Sequence, residues 1–90
     1  MPTVKFTQAL KRFFPGLQNM QAGGKTLAAI LDEMEGHFPG IRRYLLDEQG
    51  RLRKHVNIFI DGALIKDKTH LTDPFNDNSE IYILQALSGG

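Results

Sequence analysis

The sequence predicts an α+β fold in which one main helix packs on a mixed sheet of four to five strands. Three patterns within the 90 residues support it. A period-2 alternation opens the chain, a segment with a period near 3.6 follows Thr26, and residues typical of strands lie on both sides of Asp61-Gly62. The resulting order is strand, weak strand, helix, strand, short strand and strand.

The first strand is predicted over residues 3–7, where Val4 and Phe6 alternate with polar residues and are expected to face the core. Pro15-Gly16 is a typical turn pair. Residues 17–22 are then expected to return as a second strand, although polar residues weaken its pattern.

The main helix is predicted to begin after Thr26, whose hydroxyl can cap the N-terminus. Its apolar residues recur at three- and four-residue steps. They are Leu27, Ile30, Leu31, Met34 and Phe38. Gly36 and then Pro39-Gly40 are interpreted as stop signals, and residues 41–46 as a short second helical turn.

The second half of the chain predicts a hairpin followed by a central strand. Residues 55–60 favour a strand, Asp61-Gly62 is a strong two-residue turn signal, and residues 63–65 would form the short return. Residues 80–84 are apolar on both faces, which is typical of a strand in the middle of a sheet. Together these elements describe a β-grasp, the ubiquitin-like architecture.

Composition restricts the classes of function. The net charge of +1 and 41% hydrophobic residues suit one ordinary globular domain, expected over residues 1–87, with a flexible tail at 88–90. The absence of cysteine excludes disulfides, thiolate metal sites and a cysteine nucleophile. No apolar run is long enough to cross a bilayer and no secretory signal is recognisable, so we expect a cytoplasmic protein without a membrane partner.

Alternation along the predicted strands sends some apolar residues to the outer face of the sheet. If Ile58 and Ile83 face the helix, then Phe59, Tyr82 and Leu84 face the opposite way. We expect these three side chains to form an exposed patch for docking a partner. The alternative is that a loop or a dimer contact covers them.

Several other motifs are interpreted as structural. Gly23-Gly24-Lys25-Thr26 resembles the end of a phosphate-binding loop, but Asn19 stands where that motif requires glycine, so a turn is expected. The three histidines share no ligand spacing, and no metal is expected. Asp32, Glu33 and Glu35 are interpreted as a solvated charge run rather than an acid/base pair.

Basic residues occur in clusters, which raises nucleic acid as a partner. The clusters are Lys11-Arg12, Arg42-Arg43, and Arg51 with Arg53 and Lys54. They lack interleaved stacking aromatics in the sequence, and ten acidic residues balance them. We therefore expect no nucleic acid partner and interpret the clusters as solvated surface, with steering towards an acidic partner as the second reading.

The element order and the ending Ser88-Gly89-Gly90 resemble the ThiS/MoaD family of ubiquitin-like sulfur carriers. That family includes the thiamine-pathway carrier and the small subunit of molybdopterin synthase. The resemblance spans the whole chain, and residues 54–60 look most like the branch serving cysteine synthesis. A terminal Gly-Gly pair arises by chance about once in two hundred chains at average glycine usage.

The resemblance implies a non-catalytic carrier. An E1-like adenylyltransferase would use ATP to adenylate the Gly90 carboxylate, and a sulfurtransferase or desulfurase would supply the sulfur of a thiocarboxylate. An acceptor synthase would then receive that sulfur in the biosynthesis of cysteine, thiamine, molybdopterin or a related metabolite. Gly89 and Ser88 would give access to a narrow channel, because glycine has little bulk. The carrier itself would bind no cofactor.

Two other functions stay open from the sequence. A ubiquitin-like protein modifier would use the same activated Gly90 carboxylate but transfer it to lysines. An interaction domain would not need the Gly-Gly pair at all, so its function would survive deletion of those two residues.

Overall fold

The computed structural model of the protein describes residues 1–85 as a five-stranded sheet with three helices. The strands are β1 (Thr3–Phe6), β2 (Met20–Gln21), β3 (Val56–Ile60), β4 (Ala63–Leu64) and β5 (Glu80–Gln85). The helices are α1 (Gln8–Phe13), α2 (Leu27–His37) and α3 (Ile41–Leu45). The predicted α+β class and mixed sheet are confirmed.

The sheet has the strand order β2-β1-β5-β3-β4, which places β5 at its centre. β5 runs parallel to β1 and antiparallel to β3, so the sheet is mixed. Ile83 is opposite Phe6 on one side and Ile58 on the other. The prediction of a central final strand from its apolar character is therefore correct.

The core lies between the inner face of the sheet and the helices. Its most fully buried side chains include Val4, Val56, Ile58, Ile81 and Ile83 from the strands and Leu10, Leu27, Ile30, Leu31, Met34, Ile41 and Leu45 from the helices. Burial of each large aliphatic side chain contributes about 1.5–3 kcal/mol. This single cluster holds the outer face of β3 and β5 in a fixed orientation.

The main helix follows its predicted signals with one exception. The Thr26 hydroxyl accepts a hydrogen bond from the Ala29 N–H at 3.1 Å, as expected for an N-cap. α2 continues through Gly36 to His37, so the interpretation of Gly36 as a stop signal is wrong. The chain turns at Gly40, whose φ of 98° favours glycine, and α3 follows as predicted.

The segment between the first two strands differs most from the prediction. Residues 8–13 form α1, which the sequence analysis missed, and only Met20–Gln21 of the predicted second strand pairs with β1. Thr7 caps α1 by accepting a hydrogen bond from the Leu10 N–H at 3.4 Å. Leu10 is the one buried residue of this helix, which leaves no repeat for a periodicity argument.

The β3–β4 hairpin has the geometry that its turn residues predict. Asp61 and Gly62 have φ values of 51° and 86°, and positive values at both positions are typical of a type I′ turn. Asp61 also fixes the start of β5, because its carboxylate accepts hydrogen bonds from the Ser79 hydroxyl and the Glu80 N–H, both at 2.9 Å.

Candidate functional site

The C-terminal segment follows β5, the central strand of the sheet. Gln85, the last described residue, is opposite Val56 at the beginning of β3. The predicted site residues Ser88, Gly89 and Gly90 lie outside the described residues. The structure does describe the part of the sheet from which the tail starts. We call this part, around Gln85 and Val56, the tail end of the sheet.

The predicted docking residues lie together on the outer face of the sheet. Phe59 is directly opposite Tyr82 on neighbouring strands, and Leu84 follows Tyr82 on the same face. Tyr82 is 38% exposed, and Phe59 and Leu84 are half-buried. All three line a shallow depression of about 550 Å³, which Asp61, Gly62 and Glu80 complete. Docking at this surface stays a prediction.

Leu64, which was not predicted as a site residue, extends this apolar surface. It is opposite Phe59 on β4 and is 45% exposed. The signal was available, because a two-residue turn at Asp61-Gly62 fixes the register and pairs Phe59 with Leu64. We define Phe59, Leu64, Tyr82 and Leu84 as the outer patch.

An ion pair borders the outer patch. Lys5 is opposite Tyr82 on β1, and its ammonium group lies 2.5 Å from the Glu80 carboxylate. Both side chains are well exposed, so their contribution to stability is small. The apolar centre with a polar border has the composition of a protein-binding surface.

The acidic residues of α2 hold neighbouring loops, so the interpretation of a solvated charge run was incomplete. The Glu35 carboxylate accepts hydrogen bonds from the N–H groups of Gly40 and Arg42 at 2.8 and 2.9 Å. These bonds hold the pKa of Glu35 below its usual value, because they favour the charged form. Asp32 forms an ion pair with Arg42 at 2.8 Å. These contacts assign a structural role to both carboxylates.

Glu33 explains the glycine pair that resembles a phosphate-binding loop. Its carboxylate accepts hydrogen bonds from the Gly23 N–H at 2.9 Å and the Gly24 N–H at 3.1 Å. Two successive N–H groups directed at one point are a common anion-binding arrangement. Here the anion belongs to the chain itself, which supports the interpretation of Gly23-Gly24 as a structural turn.

The histidines lie in different parts of the fold. The His37 ring lies beside Phe38 and the His55 ring beside Tyr44, with centroids 6.3 and 6.0 Å apart. Within residues 1–85, no three His, Asp or Glu side chains come together in a group suited to a metal ion. In the same part of the chain, no helix is long and apolar enough to span a membrane.

Comparison with known proteins decides the family. The model of the ThiS family matches residues 4–90, which is nearly the whole chain. The chain belongs to the ThiS family. The resemblance predicted from the sequence is confirmed.

Relatives of this ThiS family member are named as the sulfur carrier protein CysO. The chain is 29% identical to a sulfur carrier protein CysO of Mycobacterium tuberculosis over 90 residues, covering 98% of this chain and 97% of the relative. The crystal structure of the BexX/CysO complex of Amycolatopsis orientalis contains a chain that superposes with a TM-score of 0.84 at 26% identity, with full coverage of both chains.

Other solved structures define the fold of this ThiS family member further. The crystal structure of M. tuberculosis CysO has a TM-score of 0.80 at 27% identity, covering 97% of this chain and 100% of that one. Small archaeal modifier protein 1 of Methanosarcina acetivorans has a TM-score of 0.79 at 23% identity, covering 99% and 95%. Because its identity to the archaeal modifier protein is only 23%, this similarity supports the fold alone. The ubiquitin-like β-grasp is confirmed, and the carrier relatives support the predicted sulfur-carrier role.

Proposed function

We propose that this ThiS family member is a sulfur carrier whose Gly90 carboxylate is adenylated by an E1-like enzyme and converted to a thiocarboxylate. The observation that carries the proposal is the family match, which extends to residue 90 and so includes the terminal Gly-Gly pair. In this reading the chain is a substrate of other enzymes and not a catalyst.

The proposed chemistry needs no catalytic side chain on the carrier. The Gly90 carboxylate attacks the α-phosphorus of ATP, which forms an acyl-adenylate and releases pyrophosphate. A sulfur nucleophile from a sulfurtransferase or desulfurase then attacks the acyl carbon and displaces AMP, as in other acyl transfers. When that nucleophile is a persulfide, its attack leaves a disulfide between the donor's sulfur and the acyl sulfur. A second thiol then attacks the donor's sulfur, forms a disulfide with it and releases the thiocarboxylate on Gly90. ATP is bound by the partner enzyme, and the carrier holds no cofactor.

The outer patch is the proposed docking surface for the adenylating enzyme. Phe59, Tyr82 and Leu84, with Leu64 beside them, offer an apolar centre on the strands that lead to the tail. Gly89 and Ser88 would follow Gly90 into the partner's channel, since an extended residue spans at most about 3.6 Å and requires little width. The relative from A. orientalis forms a complex with BexX, and we propose that an acceptor synthase likewise receives sulfur from this chain.

Intact mass spectrometry of the protein from its own host tests the proposal. Replacement of one oxygen by sulfur adds about 16 Da to the chain, as acyl transfer to a sulfur nucleophile requires. The matched control is a variant that lacks Gly89 and Gly90, which should show no added mass. If the native protein stays unmodified with its adenylating enzyme, ATP and a sulfur donor present, the carrier proposal fails.

The same experiment separates the protein-modifier alternative. A modifier would appear as conjugates whose mass is the sum of this chain and a target protein. The relatives named as modifiers are below 25% identity and support the fold alone. The carrier function is therefore the better supported of the two.

A further inference from the structure

Aromatic and imidazole side chains meet on the helix side of the molecule. The ring centroids of Phe13 and Tyr44 are 5.4 Å apart, and those of Tyr44 and His55 are 6.0 Å apart. We call these three side chains the ring cluster. They come from α1, α3 and the turn before β3, so the contacts join three segments that are distant in sequence. Phe13 is 58% exposed, which is unusual for phenylalanine.

A cationic residue immediately precedes each ring. Arg12, Arg43 and Lys54 are all exposed. Among residues 1–85, none of the three takes part in a salt bridge, whereas Arg42 and Arg51 are paired with carboxylates. The expectation that the basic clusters lack interleaved rings was therefore wrong, because a ring follows each cluster directly in the sequence and the fold brings the three rings together.

Neighbouring charges leave the cluster positive. The Arg53 guanidinium donates a hydrogen bond to the Arg43 carbonyl at 3.0 Å, which fixes a further cation beside the ring cluster. Glu35 and Glu48 share a surface depression with Arg43 and Arg53 and oppose part of this charge. Asp47 lies in the same depression but is paired with Arg51 at 3.0 Å.

The ring cluster lies at the tail end of the sheet. Lys54 and His55 immediately precede Val56, which is opposite Gln85 in the register. Asp61 and Glu80 occupy the other end of the same strands. Lys54 and the ring cluster thus lie beside Gln85, from which the tail starts.

The composition of this surface favours a protein partner over nucleic acid. Aromatic residues and Arg, which this surface combines, are enriched in protein-binding surfaces. Single-stranded nucleic acid instead requires a basic groove that follows several phosphates, and a chain with a net charge of +1 provides little basic surface for it.

We propose that the ring cluster, with Arg12, Arg43 and Lys54, binds an acidic surface on the enzyme that adenylates the tail. This contact lies on the helix side of the sheet, while the outer patch lies on the opposite face. The enzyme would hold the carrier from both sides of the tail. The inference rests on the proposed function, because it requires an enzyme that takes up this tail.

Charge reversal at Lys54 tests the inference through association kinetics with the adenylating enzyme of the same host. Lys54→Glu should slow association about 3- to 10-fold at about 0.1 M NaCl, because oppositely charged surfaces steer the encounter. The difference should shrink towards parity at about 1 M NaCl, where the Debye length falls to about 3 Å. Phe13→Ala should raise the dissociation rate about tenfold.

Lys25→Glu is the matched control. It makes the same change of charge, and Lys25 lies with Pro2 and Asp77 at the end of the molecule away from the tail. Circular dichroism melts of all three variants verify folding. The inference is overturned if Lys54→Glu and Lys25→Glu associate at the same rate. It is also overturned if a single-stranded oligouridylate binds through Lys54 while enzyme association stays unchanged.

Failure of this inference is distinguishable from failure of the proposed function. The association measurement requires no chemistry, whereas the carrier function is read from the added mass of sulfur. A wild-type chain that gains the sulfur mass while Lys54→Glu associates like Lys25→Glu rejects the ring cluster alone. A charge-dependent association without any sulfur gain supports the surface and rejects the carrier chemistry.

Discussion

At the scale of single residues, Gly24 shows how a close backbone approach can require glycine. A Cβ atom added there would lie 2.8 Å from the Ile30 nitrogen and 2.9 Å from the Ala29 carbonyl carbon. Both atoms belong to the backbone of α2, so neither can rotate away. The loop would have to shift, and the two N–H bonds to Glu33 would lengthen.

Gly24→Ala should therefore lower the free energy of unfolding by about 1–3 kcal/mol, as is common for strained substitutions. Gly36→Ala is the matched control, because Gly36 lies within α2 and an added Cβ meets nothing within 4 Å. That change should stabilise by about 0.5–1 kcal/mol, since alanine loses less backbone entropy in a helix. Urea unfolding measures both, and equal effects of the two changes would contradict the close-contact argument.

At the scale of elements, Asp67 organises a turn in the loop between β4 and β5. Asp67 accepts hydrogen bonds from the N–H groups of Thr69, His70 and Thr72 and from the Thr72 hydroxyl. These bonds, with the His70 N–H as the largest cause, lower the pKa of Asp67 from 3.8 to about 2. The turn also carries Leu71 into the core, where it is 2% exposed.

The lowered pKa of Asp67 makes stability depend on pH in acid. A depressed folded-state pKa contributes stability that is fully present above the unfolded value of 3.8 and is lost as the pH falls through about 2. Asp67→Asn should be less stable than the native chain at pH 7, and this difference should shrink between about pH 4 and pH 2. Urea unfolding across that range measures it. A difference that stays constant with pH would show that the Asp67 charge is not involved.

At the scale of the whole molecule, the sequence predicted the parts of the fold whose signals are local. The Thr26 cap, the Asp61-Gly62 turn and the central β5 all depend on residues next to them in the chain. α1 was not predicted because Leu10 is its one buried residue, and a single apolar position cannot show a helical period. The Glu33 contact with Gly23-Gly24 was missed because it joins residues ten positions apart that a pattern cannot connect.

The candidate site was likewise predicted only where the signal is local in the sequence. Alternation along β3 and β5 correctly put Phe59, Tyr82 and Leu84 on one face, since the period of a strand is fixed by its geometry. The ring cluster could not be predicted, because Tyr44 brings Phe13 and His55 together only through the packing of α3. The expectation for Ser88-Gly89-Gly90 rested on the family resemblance and on the chemistry of glycine.

The outer patch is formed by residues of three strands, so its docking role depends on the assembled sheet and not on one element. Phe59→Asp should weaken binding to the adenylating enzyme about 10- to 100-fold, since a charge would be buried in the centre of an apolar interface. The fold should survive, because Phe59 faces away from the core formed by Val56 and Ile58. Calorimetric titration measures the affinity.

The matched control for Phe59→Asp introduces the same charge on an exposed position of the sheet. Gln21→Asp does so on the edge strand β2, opposite Thr3 and far from β3 in the strand order. It should leave the affinity within about threefold of the native value, as surface changes outside an interface usually do. If both variants bind equally well, the enzyme does not dock on the outer patch. A selective loss in Phe59→Asp assigns docking to the sheet face that leads into the tail.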